Sequence, residues 1–229
     1  VRRREWRGTF VECHMNICTN LVLELHAALW CHEELLAIIV AAKMRAALMT
    51  IKSSLSLARQ YSITDRTLCF VVFPDESVDF SSVTNLGATR YSAMFITTTA
   101  RWSRMLAKWY HLPRGIVFDR DRQPPGYPRS LNVFDRSTSN NYSKIPFPIE
   151  ASNLVEQVVS CMRFHPNGRL HQPDTMTDPV IIITEGTVRY DPATSALLEY
   201  FKQPNAPAYM IEVRPLTGRT KITELSPTP

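Results

Sequence analysis

Glycine is scarce in this chain, with 7 residues among 229, while proline contributes 16. The shortage bears directly on function. Gly115, Gly126 and Gly168 stand singly, and no P-loop, dinucleotide fingerprint or G-x-S-x-G elbow is present. Chemistry that depends on backbone cradling of phosphates is therefore not indicated. No glycine or proline falls between residues 9 and 73, so nothing there interrupts a helix. The five cysteines, Cys13, Cys18, Cys31, Cys69 and Cys161, are too few for a dense disulfide framework. Their odd number leaves at least one thiol outside any intrachain pair. A single Cys69–Cys161 bridge stays open as an expectation for an oxidising compartment. Long uncharged apolar runs are missing as well. Glu24, His26, His32, Glu33 and Glu34 interrupt residues 9–50, and the cleanest piece nearby is 35–42, well short of the roughly 20 residues of an ordinary membrane span. There is no internal repeat and no low-complexity tract.

Hydrophobic residues make up 45% of the chain and charged residues 21%, a globular balance. The net charge is +5, unevenly spread. Residues 101–136 carry Arg101, Arg104, Lys108, Arg114, Arg120, Arg122, Arg129 and Arg136 against Asp119, Asp121 and Asp135. Such a stretch suits phosphates or acidic lipids; the alternative is a solvated loop with scattered arginines. Trp102, Trp109 and Tyr110 lie among these cations. That arrangement fits single-stranded nucleic acid, or else the aromatics belong to the core of the head.

Ala, Leu, Met, Glu, Lys and Arg dominate residues 21–62, which predicts one long helix. Leu48, Ile51, Leu55, Ala58 and Ser62 recur at three- and four-residue spacing and form one stripe; Lys52, Ser53, Ser56 and Arg59 fall elsewhere. From residue 67 the pattern changes to β-branched runs. Strands are expected at 67–73, 89–98, 115–118, 131–134, 156–165, 180–185, 208–214 and 220–223. Residues 119–153 and 191–207 read as long loops. Asn167-Gly168 marks a hairpin corner.

Catalytic and metal patterns are incomplete. Cys13, His14, Cys18, His26, Cys31 and His32 lack a C-x-x-C pair, and a continuous helix spreads them over several turns. His32-Glu33-Glu34-Leu35-Leu36 starts like H-E-x-x-H but ends on leucine. Asp75/Asp79 and Asp119/Asp121 sit beside turn residues, where a carboxylate is ordinarily solvated. These observations predict no enzyme activity, no cofactor and no metal.

Several strings resemble one family. Residues 57–66, Leu57-Ala58-Arg59-Gln60-Tyr61-Ser62-Ile63-Thr64-Asp65-Arg66, with the strand expected after them, look like the helix exit and first strand of the type II secretion pseudopilin H and minor pilin FimT family. Leu112-Pro113-Arg114-Gly115 before a strand, Pro166-Asn167-Gly168, and Leu216-Thr217-Gly218-Arg219 between closing strands resemble its later markers. At the start, Arg7-Gly8-Thr9-Phe10-Val11-Glu12 resembles a rearranged prepilin cleavage site, with Glu12 at the fourth mature position rather than the fifth.

The resemblance implies an α+β, pilin-like fold: a basic leader-like segment at 1–8, a long N-terminal helix at 9–66 packed on an antiparallel β-sheet head at 67–229. It implies a structural subunit, a minor pseudopilin of a type II secretion or type IV pilus-type assembly. Its partners would be other pilin or pseudopilin subunits and a prepilin peptidase cutting between Gly8 and Thr9. The helix would hold the chain in the bacterial inner membrane with the head in the periplasm. A buried glutamate near the helix start, beside a neighbour's terminal amine, would set register between subunits. Glu12 is the first candidate for that glutamate and Glu24 the second. The alternative within the family is a DNA-binding minor pilin, using Arg101, Arg104, Lys108, Arg114, Arg120 and Arg122.

Overall fold

The structure, a computed structural model, describes residues 6–76, 91–99, 109–123, 125–126, 128–135, 141–147, 155–170, 178–190 and 197–226. Within the helix, side chains are described from residue 34 onward. The chain is α+β. It divides into two compact units, residues 1–42 and 43–229. One helix, α1 (Trp6–Thr64), supplies the first unit and continues into the second.

In the second unit the expected stripe is the buried one. Ile51, Leu55, Ala58 and Ser62 are fully buried, Leu48 nearly so, and Met44, Ala47 and Ser54 extend the same face. Lys52, Ser53 and Ser56 are exposed. The helix ends without a glycine, which the sequence does not offer here. Arg66 takes the left-handed conformation (φ 50°) instead, and the Thr67 N–H bonds back to Ser62 O at 3.3 Å, closing the last turn.

Ten strands follow: β1 (Cys69–Phe73), β2 (Ala93–Thr98), β3 (Tyr110–His111), β4 (Ile116–Phe118), β5 (Tyr142–Phe147), β6 (Val155–Phe164), β7 (Val180–Tyr190), β8 (Leu197–Lys202), β9 (Ala208–Val213) and β10 (Thr220–Leu225). They form two antiparallel sheets, ordered β3-β2-β1-β6-β5 and β10-β9-β7-β4, with β8 paired to the far half of β7. One core joins the helix stripe to both. It takes Cys69, Val71 and Phe73 from β1, Met94 and Ile96 from β2, Ile116 and Phe118 from β4, and Ile181 and Ile183 from β7.

The alternate residues are buried too. Phe70 and Val72 pack with Phe95, Val159 and Cys161 on the other face of the first sheet. Val180 and Ile182 pack with Leu131, Ala208 and Met210 on the other face of the second. Burial on both faces is why β1 and the start of β7 read as continuous apolar runs rather than alternating ones. Trp109 takes the core reading. It is half-buried, with its ring 4.8 Å from that of Phe95.

Three local expectations are corrected. Residues 131–134 are not a strand. A 3-10 turn (Arg129–Leu131) leads into a single bridge between Asn132 and Val180. Asparagine side chains hold the backbone in this region. Asn132 Nδ2 donates to Asp119 O and Arg122 O, and Asn141 Nδ2 donates to Ser130 O, Asn132 O and Asp135 O. The two long loops each contain a strand, β5 and β8. β5 carries Pro146, which a strand tolerates at a sheet edge. No Cys69–Cys161 bridge forms. Cys69 lies opposite Phe164 and Cys161 opposite Val72, which puts the two thiols on opposite faces of the sheet, and both are free and buried.

The expected hairpin corner is present. His165 N–H donates to Arg169 O and Gly168 N–H to His165 O, both at 2.8 Å. Gly168 has φ 74°, a left-handed angle that favours glycine, and it sits against the tip of Ile63 on the helix.

Two outcomes follow from this packing. A fragment of residues 43–229 folds alone, giving circular dichroism of mixed β with one short helix; a molten product contradicts the division. Leu55→Ala destabilises by roughly 2–5 kcal/mol in denaturant titration, while the exposed Lys52→Ala costs less than about 0.5 kcal/mol.

Candidate functional site

The sequence-derived site residues fall into three groups. Gly8, Thr9, Glu12 and Glu24 lie on α1, and their side chains are outside the described residues. Arg101, Arg104 and Lys108 are also outside them. Arg114, Arg120 and Arg122 are described, and the fold gives them different duties.

Arg114 is exposed at the turn entering β4, beside Gly115 with φ 90°. Arg120 is half-buried and engaged within the head. Its guanidinium carbon sits 5.1 Å from the Tyr91 ring centre and 5.0 Å from that of Tyr200, against two rings whose own centres are 5.2 Å apart. Its Nη1 donates to Tyr91 Oη at 2.9 Å and also to Glu76, and its Nε lies 3.4 Å from Asp121. Tyr200 Oη donates to Phe118 O at 2.7 Å, so the ring that covers the arginine is itself tied to β4. A guanidinium so committed to Tyr91, Glu76 and Asp121 is a poor donor to an external phosphate. Arg122 is half-exposed; its backbone N–H donates to Asp119 Oδ1 at 3.1 Å and its guanidinium to Ser226 O.

These links make residues 118–122 a junction between the sheets. Phe118 N–H donates to Tyr91 O at 2.8 Å and Asp119 N–H to Ile182 O at 2.7 Å. Asp119 is 3% exposed and pairs with Lys202 Nζ at 2.9 Å. By sequence alone Arg120 is one of the cations expected to be available to nucleic acid. Nothing local distinguishes it, because both rings come from distant segments.

The fold also gathers a cationic surface that runs along no single sequence stretch. Arg59 Nε donates to Gly168 O at 3.2 Å, next to the exposed Arg169. The turn at residues 214–219 packs on the same side chain; a Cβ on Gly218 would lie 2.8 Å from Arg59 Cδ. Arg214 and Arg219, joined by a 2.9 Å backbone bond, are exposed there, and Leu216 is 65% exposed.

Among the described residues there is no group of three His, Cys, Asp or Glu side chains able to hold a metal ion, and no helix long and apolar enough to cross a membrane. Asn141-Tyr142-Ser143 matches a glycosylation sequon, but the Asn141 amide is buried and donates to three carbonyls, which leaves it unsuited to modification. No protein-family model, curated protein or solved structure matches the chain.

Buried groups set the response to alkali. Burial pushes the Cys69 and Cys161 thiols up to about 12 from 9.0. It pushes Tyr91 up to about 12 from 10.0, against the opposing pull of Arg120. Each group keeps its proton longer folded than unfolded, so its contribution is complete below the unfolded value and lost as pH rises through the folded one. Stability is therefore expected to hold up to pH 9 and to fall between pH 9 and 12. A denaturation midpoint that rises across that window contradicts the assignment. Arg120→Ala should destabilise the head by about 1–3 kcal/mol through the loss of its hydrogen bonds and ring contacts. The exposed Arg114→Ala should change stability by less than about 0.5 kcal/mol.

Proposed function

We propose that this chain is a pilin-like structural subunit, a minor pseudopilin of a type II secretion or type IV pilus-type assembly, with no catalytic role. One observation carries the reading. Leu35, Leu36, Ile38 and Ile39 are 56%, 48%, 65% and 40% exposed on α1, in a stretch where every residue from 35 to 42 is apolar. A helix that is apolar on all sides needs a surrounding surface to bury it. Bundled helices of other subunits supply that surface in a filament, and acyl chains supply it before assembly. The basic residues Arg2, Arg3 and Arg4 ahead of Gly8 suit retention on the cytoplasmic side. Glu12 or Glu24 would then pair with a neighbouring subunit inside the bundle.

Coexpression with a prepilin peptidase tests this. The expected product starts at Thr9 and fractionates with the membrane. An unprocessed chain in the soluble fraction overturns the reading.

The cationic surface around Arg59 favours one second reading, a head that binds DNA. It differs in place from the 101–136 stretch, where Arg120 is internally committed. Retention of the chain on DNA should fall steeply with salt. Arg169→Glu with Arg219→Glu should abolish it, whereas Arg114→Glu with Arg122→Glu should not. Retention unchanged by the first pair removes this reading.

A further inference from the structure

An antiparallel sheet ends in strands with one unpaired side, and such edges invite pairing with another chain. Among the described residues, most edges of the head are blunted. β3 is two residues long and β4 three, with the Phe118 N–H already bonded to Tyr91 O at 2.8 Å. β5 carries Pro146, which has no N–H to donate. β8 meets β7 through a bulge at Arg189/Tyr190. β10 differs from all of these. It ends its sheet, and its six residues run without proline or bulge, paired with β9 over their full length.

The hairpin fixes which atoms of β10 face outward. Arg214 N–H donates to Arg219 O at 2.9 Å, so these two residues form a hydrogen-bonded pair. Such pairs alternate along an antiparallel ladder. The register Glu212–Lys221, Met210–Thr223 and Ala208–Leu225 therefore turns the backbone of Lys221, Thr223 and Leu225 toward β9. The backbone of Thr220, Ile222 and Glu224 turns away from it, and no backbone bond from another described residue reaches those atoms. The bond from Val213 N–H to Pro179 O, on the far side of β9, agrees with this alternation. The lysine that could guard the edge is engaged elsewhere. Lys221 lies opposite Glu212 and pairs with it at 3.3 Å, while Ile222, on the other face, is 39% exposed.

The residues of the edge select the occupant. An antiparallel partner must set outward residues against outward residues. For two copies of β10 related by a two-fold axis, the axis then falls on a residue. On Lys221 it sets two lysines directly opposite, and on Glu224 two glutamates, both unfavourable. On Thr223 it sets Ile222 against Glu224 of the second copy. On Ile222 it sets isoleucine against isoleucine, Thr220 against Glu224 and Lys221 against Thr223. That register opposes no like charges and uses all of the outward backbone.

We infer that the open edge of β10 is a pairing surface for a second copy of this chain, strand to strand and antiparallel about Ile222. Thr220, Ile222 and Glu224 exchange backbone hydrogen bonds across the axis, and the two exposed isoleucines cover one another. Pairing along six residues falls well short of a standard interface of roughly 1,200–2,000 Å², so the contact is transient in solution and strengthens where copies are held close. The inference goes beyond the assembly reading and does not need it, because every residue it uses lies in the hairpin of β9 and β10.

Disulfide trapping on the full chain tests it, in mild detergent that covers the exposed residues 35–39 of α1. The background carries Cys13→Ser, Cys18→Ser and Cys31→Ser, while Cys69 and Cys161 stay because they are buried. Ile222→Cys puts two thiols across the axis with Cα atoms about 5.5 Å apart, within reach of a disulfide. Thr220→Cys puts them more than about 13 Å apart, out of reach. Under mild oxidation, Ile222→Cys is expected to give about tenfold more linked dimer than Thr220→Cys. A mixture of Thr220→Cys chains with Glu224→Cys chains should link as well, since those positions are opposed. Thr220→Pro added to Ile222→Cys removes an outward donor and no bond to β9. It should cut the linked dimer about fivefold or more while leaving the unfolding midpoint unchanged. Should Ile222→Cys unfold the head, the mixed pair decides alone. The proposal is overturned by equal linking at 220 and 222, by no linking of either the 222 variant or the mixed pair in folded chains, or by linking at 222 untouched by Thr220→Pro. Association through α1 alone gives no preference for 222, so this inference and the assembly reading fail separately.

Discussion

The rest of the head depends on one contact surface, the burial of the α1 stripe against both sheets at once. Ile51, Leu55 and Ala58 are fully buried in the same cluster as β1, β2, β4, β7 and β9 residues. Neither sheet could bury this face without the helix. Each strand pair alone is marginal, and a sheet needs a covered hydrophobic face to be stable. The helix therefore acts as the common wall. At its end the glycines at 168 and 218, both in left-handed conformations, lie against Ile63 and Arg59.

A second constraint ties the far sides of the sheets together. The segment from Phe118 to Arg122 bonds to Tyr91, Ile182, Tyr200 and Lys202 within five residues. Arg120 packs against the two tyrosine rings and donates from Nη1 to Tyr91 and Glu76, while its Nε makes only the ion pair with Asp121. The same segment presents Asp119 to a cleft.

Polar side chains set the path of the irregular segments. Asn132 and Asn141 satisfy five carbonyls between them, fixing a loop that apolar patterning alone would have made a strand. Val133 and Phe134 are buried, and that is the source of the misleading pattern. They are buried because the asparagines fold the chain inward, with only one bridge of strand pairing at Asn132.

The sequence by itself determined the helix, its buried face, the α+β class and the corner at Asn167-Gly168. These rest on local physics: periodicity, an unbroken absence of glycine and proline, and turn chemistry that acts over a few residues. The short strands β5 and β8 escaped it, since Pro146 and the polar residues around them carry no period that survives at six residues. Only the tertiary structure decided that Cys69 and Cys161 stay apart, because the face of a strand depends on register with a partner many residues away. It alone decided that Arg120 is a half-buried brace, and that Asp119, Lys202 and Asn205 line one cleft. Those are long-range meetings of single side chains, whose positions are set by how two sheets share one helix and not by any pattern along the chain.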